Sequence, residues 1–413
     1  MTASRRRGAC PGLSAPLPTG DGLLARLRPV APVPPAALAG LAAAARRHGN
    51  GVIEVTARGS VQVRGLTAAT VPPFAAAVAG LGIAVEEGVA VIAGFDAAAA
   101  ALAAAVREAI AAARLTLSPK LCVAVDGGGA LHLDGVFADV RLRAAAGHGR
   151  FHVGIAVKGS DAVAWLGTAA AHDAPAAVVA IMTMIAARGP RARAADAAAR
   201  DGVAAAGAAA GLDPSPPPSP RRPADIVGLH AMADGTASLG VALAFGHTVS
   251  EALAEIASRA GCCGVAAVRA APPRALLFTG APAPGLRELA AAAESLGFVT
   301  DAADPRRAIA ACPGAPSCAS GLIPARRIAA ELAPLMPASA AGVLVHVSGC
   351  PKGCAHPRPA ALTLTGHAQG CAVVYRGTAA AVPHHVADPR CLGGEITAVV
   401  NGAAAAMEGA DGS

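Results

Sequence analysis

Aromatic side chains are nearly absent. Among 413 residues there are seven Phe, one Tyr and one Trp, whereas proteins that grip single-stranded nucleic acid stack bases on such rings between basic runs. A nucleic-acid partner is therefore not expected. Lysine is scarcer than phenylalanine: Lys120, Lys158 and Lys352 are the whole set, and arginine carries the positive charge. No apolar run is long enough for a bilayer. The richest, Ala174 to Ala187, is too short, and the alanine-rich stretch from Val89 is interrupted by Asp96, Arg107 and Glu108. Arg5-Arg6-Arg7 lacks the apolar segment that an export signal would place after it. The expectation is a cytoplasmic protein with no membrane partner, in a reducing compartment that would keep ten cysteines as thiols. Also missing is a strand followed by Gly-x-Gly-x-x-Gly, so a dinucleotide is not expected to bind here.

Alanine, glycine and proline dominate instead. Cores must then be packed from Ala, Val, Leu and Ile with backbones close together. The formal net charge is +7, and with nucleic acid and membrane set aside, a polyanionic small molecule suits it best. The length allows roughly two to four domains.

Read in order, the chain gives a unit twice. Gly22 to Pro29 alternates as a half-buried strand, and Pro34-Pro35 opens a helix that Gly49 closes. Val52 to Thr56 and Val61 to Arg64 form two further strands around a turn at Ala57-Arg58-Gly59-Ser60, and a helix follows from about Pro72 to Leu81. The same order returns with Asp234-Gly235 to Phe245, Val249 to Arg259, Gly264 to Arg269, Arg274 to Thr279 and Gly285 to Leu296. Gly65 and Gly280 close the corresponding last strands. The fold expected is α+β: two pseudo-repeats, each a ferredoxin-like half-domain followed by an α/β lobe. The divisions are 8–85 and 86–190 for the first repeat, 191–224 for a Pro/Ala-rich surface linker, and 225–300 and 301–408 for the second repeat.

The chemistry concentrates in two cysteine pairs. Cys312 and Cys318 have five residues between them, and Cys350 and Cys354 have three, within Gly349-Cys350-Pro351-Lys352-Gly353-Cys354. Each pair lies in a Gly/Pro-shaped turn, so four thiolates can converge on one object, which is what a 4Fe-4S cluster requires. Structural zinc also takes four thiolates, but its knuckles space them by about two to four residues in both halves. Disulfides are the other alternative, set against the absence of a secretory signal. Cys10, Cys262, Cys263, Cys371 and Cys391 lack paired spacing and read as ordinary thiols.

Cys-x5-Cys followed by Gly-Cys-Pro-x-Gly-Cys resembles the cluster signature of the sulfite and nitrite reductases. The N-terminal stretch Arg7-Gly8-Ala9-Cys10-Pro11-Gly12-Leu13-Ser14-Ala15-Pro16, running into Pro18-Thr19-Gly20-Asp21-Gly22, is similar to the precorrin-3B synthases, the cobalamin-pathway branch of that superfamily. The resemblance implies reductase-like α/β lobes and Cys312, Cys318, Cys350 and Cys354 as ligands of a 4Fe-4S cluster. It implies an oxygenase that hydroxylates precorrin-3A at C20 with dioxygen and NADH-derived electrons, closing a γ-lactone. A mononuclear non-haem iron is associated with the family, and no facial triad of His and carboxylate in the sequence identifies its ligands. Sirohaem would be the partner of the cluster under the rival reading, a sulfite or nitrite reductase. A tetrapyrrole carrier without catalysis is the third reading.

Residue by residue, the resemblance places Arg58 and Gln62 at the anion site of the first half, with Arg64 on the same strand face. Lys120, in Ser118-Pro119-Lys120-Leu121-Cys122, matches one of two lysines that assist protonation in the reductases, and Cys122 replaces the other. Arg58 and Lys120 are the candidate catalytic residues, and Arg58, Gln62, Arg64, Lys120 and Lys352 the candidates for holding the cofactor. Arg141 and Arg143 are weaker candidates on one strand face. His356, close behind the second cysteine pair, is a candidate ligand or acid–base group but reads better as a surface histidine, and His346 reads as a structural one.

Overall fold

The structure, a computed structural model, describes residues 11–146, 149–160, 162–196, 202–232, 235–337 and 343–398. Cys10 and the first residues of the N-terminal motif lie outside the described residues, as do Asp234 and the end of the last lobe.

The first half runs β1 (Leu17–Thr19), β2 (Gly22–Leu27), α1 (Pro35–His48), β3 (Val52–Val55), β4 (Val61–Leu66) and α2 (Val71–Gly80). Pro35 starts α1 where its missing N–H is not needed, and Arg46, Arg47 and His48 lie at the negative end of the helix dipole. The strands pair antiparallel in the order β1-β2-β4-β3. A lobe follows with β5 (Ala90–Ala93), α3 (Ala97–Ala113), β6 (Cys122–Asp126), β7 (Val140–Ala144), β8 (Arg150–Ala156), β9 (Val163–Ala170) and α4 (Ala174–Ala186). Its sheet is ordered β5-β6-β7-β8-β9, parallel for the first three strands and antiparallel beyond them.

After a short helix α5 (Val203–Ala209), the second half repeats this plan with β10 (Gly228–Ala231), β11 (Ala237–Ala242), β12 (His247–Val249), α6 (Ser250–Cys262), β13 (Ala267–Ala271), β14 (Ala275–Thr279) and α7 (Ala283–Ser295). The order β10-β11-β14-β13 copies β1-β2-β4-β3. The second lobe holds β15 (Ile309–Ala311), α8 (Ala325–Leu332), β16 (Val345–Ser348), β17 (Ala360–His367), β18 (Gly370–Gly377) and β19 (His385–Ala387). It too is parallel for three strands and antiparallel beyond. The repeat reaches single residues. Gly65 and Gly280 both have positive φ, and a Cβ on either would lie 2.4 Å from Asn50 Cβ or 2.5 Å from Ala266 Cβ, the residues leading into β3 and β13.

The halves share one core. Leu41, Val63 and Phe74 belong to the same buried cluster as Ile256, Phe278 and Leu289, and β12 of the second half pairs with β3 of the first. Burying both helix faces together suits sheets whose own cores are mostly Ala, Val and Leu.

The proline-rich segment differs from a loosely attached linker. It is extended as its prolines dictate, yet it is pinned to the first lobe. Asp213 pairs with Thr168 across a bridge, Ser219 O accepts from Arg143 at 2.7 Å, and the Arg221 guanidinium reaches both Asp126 and Asp134. Asp126 is 1% exposed, and a carboxylate that deep needs a cation, which the linker supplies. Among the described residues no helix is long and apolar enough to cross a membrane.

Candidate functional site

Parallel pairing brings the cysteines together. Cys312 directly follows β15 and Cys350 lies just beyond β16, and these strands are adjacent with Ala311 opposite Val347. Both loops thus leave the same sheet edge side by side, at the carboxyl ends of parallel strands where α/β folds place ligands. Gly349 N–H donates to Cys312 Sγ at 3.0 Å, and Leu322 N–H donates to Gly349 O at 2.7 Å. The backbones approach so closely that a Cβ on Gly349 would lie 2.8 Å from Gly314 Cα. Lys352 Nζ donates to Ser320 Oγ at 2.8 Å, tying the second loop to the first.

All four cysteines are unpaired; Cys312 is buried, Cys318 and Cys350 half-buried, and Cys354 exposed. Burial pushes the Cys312 thiol up, partial burial of the sulfur does the same at Cys354 although the residue is largely exposed, and the other cysteines of the set push in the same direction. Among the described residues, no three of these sulfurs lie within 4.8 Å of one another. A tetrahedral zinc would hold them roughly 3.8 Å apart. The described sulfurs are thus not gathered as a single tetrahedral ion would hold them.

The N-terminal hairpin buttresses the first cysteine loop. A Cβ on Gly20 would lie 2.5 Å from Pro316 O and 2.8 Å from Cys318 C, so only glycine permits the contact. Beside it Arg64, 3% exposed, donates to Asp21 at 2.8 and 3.0 Å and to the carbonyl of Ser317.

Against these loops opens a cavity of about 1430 Å³, with Cys312 and Cys354 in its wall. It is larger than a typical drug-sized site. Arg58 from the β3–β4 turn lines the part beside the first lobe with Lys120, Lys158 and Arg193, and Arg274, Arg326, Arg358 and His356 line the part near the cysteines. The acids in the wall are already paired: Glu86 with Arg28 and Arg107, Asp139 with Arg193, Glu54 with Arg326, and Asp196 with Lys158. The wall thus carries more cationic than anionic side chains.

The candidate residues separate accordingly. Arg58 lines the cavity, its guanidinium 5.7 Å from the Phe137 ring centre and its Nη1 donating to Lys120 O at 3.4 Å. Lys120 and Gln62 line it too. Arg64 and Lys352 are not in its wall: both hold cysteine loops in place. Cys122 is 0% exposed, and burial pushes its thiol up to about 11. Arg141 is consumed by the carbonyls of Leu133 and Val136, at 2.7 and 2.5 Å. His356 lines the cavity rather than the outer surface. Sequence reasoning passed over Arg193, Arg274, Arg326 and Phe137. Only Phe137 carried a signal, as one of so few aromatic residues. Asp126, His132 and Asp134 are the one group of three possible ligands at metal spacing among the described residues. Arg221 closes it, bonding to both carboxylates at 2.5 and 2.7 Å.

His346 is 0% exposed on β16, and neither ring nitrogen has a hydrogen-bond partner. Its ring meets that of His356 edge-on at 5.8 Å. Burial, then His356 and Arg274, push its pKa down to about 4. The unfolded chain takes up the proton first, at about 6.5. The stability contributed by neutral His346 is therefore complete above that pH and is lost as pH falls towards 4, by up to about 3 kcal/mol. Denaturant midpoints followed from about pH 7 to 4.5 are expected to fall less steeply in His346→Leu than in the unaltered chain.

The profile of the Nitrite/Sulfite reductase ferredoxin-like half domain matches residues 16–81, which span β1 to α2. A protein named precorrin-3B synthase, from Sinorhizobium sp, is 38% identical over 420 residues, taking in 95% of this chain and 88% of that protein. Among solved structures, the NirA protein of Mycobacterium tuberculosis superposes with a TM-score of 0.70 at 19% identity, over 91% of this chain and 79% of that one. At that identity the superposition speaks for the fold alone, and the fold is the doubled one described above.

Proposed function

Because the chain belongs to the precorrin-3B synthase family, we propose that it is an oxygenase that hydroxylates precorrin-3A at C20 and closes a γ-lactone with an acetate arm. One atom of dioxygen enters the macrocycle and the other leaves as water, at the expense of two electrons and two protons. The observation that carries this reading is the cation-lined cavity of about 1430 Å³ with two of the four cysteines in its wall. A tetrapyrrole intermediate is wide and bears many carboxylates, which in a partly desolvated site require guanidinium or ammonium partners.

Cys312, Cys318, Cys350 and Cys354 would hold a 4Fe-4S cluster, which when bound supplies electrons one at a time at the edge of the cavity. Arg58 and Lys120 would take acidic arms on the side of the first lobe. The Phe137 ring beneath Arg58 and Arg193 holds both guanidinium planes against the wall. Gln62 contributes an amide from β4, and Lys352 keeps the two cysteine loops together. The electrons would come from an external NADH-linked donor. The ligands of a mononuclear iron are left unassigned; the one His/carboxylate group at metal spacing among the described residues, Asp126, His132 and Asp134, is engaged by Arg221.

Cys122 weighs against the rival reductase reading. It occupies the position of the second lysine in the reductases, and a fully buried thiol pushed up to about 11 supplies neither charge nor a ready proton. The test is anaerobic purification, then precorrin-3A, a one-electron reductant and isotopically labelled dioxygen, with the product mass measured. A product carrying one labelled oxygen is expected. Unlabelled macrocycle, together with sirohaem absorption and dye oxidation that depends on sulfite or nitrite, would establish the reductase instead.

A further inference from the structure

The β3–β4 and β13–β14 turns meet where the two halves abut. Arg274 N–H donates to Thr56 O at 3.2 Å, and a Cβ on Gly59 would lie 3.0 Å from Ala270 O and Pro272 Cδ. With Gly65 matched to Gly280, Arg274 falls opposite Gly59. Both are left-handed, with φ of 55 and 72°. The first half thus uses glycine where the second places an arginine, in a conformation that disfavours any residue with a Cβ. Backbone strain of this kind calls for a reason in the side chain.

The side chain is held in place and incompletely paired. Its stem packs against Gly246, whose added Cβ would lie 2.7 Å from Arg274 Cδ. Its Nη2 donates to Ala355 O at 2.8 Å, next to Cys354. Among the described residues no carboxylate forms an ion pair with it, because Glu54 is engaged by Arg64 and Arg326. Burial and the nearby Arg326 push its pKa down, and Glu54 offsets this only in part. Arg274 also lines the cavity, so donors remain for a ligand there.

We propose that Arg274 is a specificity residue that takes an acidic side arm of the macrocycle on the cysteine side of the cavity, opposite Arg58 on the first-lobe side. This rests on the cavity being a tetrapyrrole site. Two guanidinium groups from matching turns would grip a ring-shaped polycarboxylate at separated points and fix its rotation over the cysteine loops. A ligand with acids along only one edge would engage one of them.

The test is equilibrium binding of sirohydrochlorin, a reduced tetrapyrrole with acetate and propionate arms, to anaerobically purified protein. Arg274→Gln is expected to weaken binding about tenfold or more, with iron content unchanged and the deficit shrinking as salt is raised. Arg274→Lys should recover part of the loss, Arg58→Gln should weaken binding comparably, and Arg390→Gln, at an exposed ion pair, should bind as the unaltered chain does. Unaltered affinity in Arg274→Gln alongside weakened Arg58→Gln overturns the inference alone. So does a loss that Arg274→Lys shares in full together with lost iron, which would make Arg274 a support of the cysteine loop. No binding by the unaltered protein overturns the tetrapyrrole reading and this inference with it.

Discussion

A Cys350→Ala chain purified without air is expected to lose nearly all its iron and acid-labile sulfide, of which an unaltered chain holding a 4Fe-4S cluster would carry about four each, and oxygen uptake with precorrin-3A should vanish with them. The expectation is the same for Cys312, Cys318 and Cys354, for a geometric reason. The four thiols come from two loops whose separation is set by adjacent strands β15 and β16, so three remaining sulfurs cannot shift to close around the gap. Zinc would behave differently. With no three sulfurs within 4.8 Å, the loops would have to contract to hold a single ion. Metal analysis of the unaltered chain decides between the two. Zinc at about one per chain without sulfide would remove the electron supply and leave at most a binding protein.

Much of this was legible in the sequence because local signals agree with the long-range ones. Pro35 and Gly49 bracket α1, the Ala57–Ser60 turn separates β3 from β4, and Gly65 and Gly280 mark the same strand in each repeat. The cysteine loops could be read because thiolate spacing and glycine freedom are local properties. What pattern could not give was direction. Alternation put Gln62 and Arg64 on one strand face, yet Gln62 faces the cavity and Arg64 turns to Asp21 and Ser317. Neighbours from distant parts of the chain decide that. The linker was read from its prolines, which fix the backbone but do not reveal that Arg221 would find a buried carboxylate nearly a hundred positions earlier. Arg274 was invisible for the same reason: its left-handed backbone has no sequence signature in arginine.

Arg64→Met is expected to be the most destabilising single change outside the cysteines, by about 3 to 5 kcal/mol, and to lower iron content although Arg64 touches no cysteine sulfur. The guanidinium answers Asp21 through two bonds and Glu54 at 3.5 Å, with the Ser317 carbonyl as a third partner. Burial would push the Asp21 carboxyl up, and the hydrogen bond and charge of Arg64 together with hydrogen bonds from Thr19 and Asn50 more than reverse this, leaving its pKa below the usual value. Its stabilising contribution is therefore present above about pH 4 and lost as pH falls through the lowered folded value. Without Arg64 that contribution goes, Glu54 keeps its ion pair with Arg326 but loses the one with Arg64, and the first cysteine loop loses its tether to β4. Arg64→Lys should fall between, because an ammonium keeps the charge but cannot span Asp21 and Ser317 as a planar fork can. A double-mutant cycle with Asp21→Asn should show coupling of about 1 kcal/mol or more. The competing assignment, an anion-site arginine, makes the opposite prediction: normal denaturant midpoint and iron content, with weakened binding of the acidic macrocycle. That pattern would move Arg64 from scaffold to binding wall and require its side chain to swing away from Asp21 when ligand arrives.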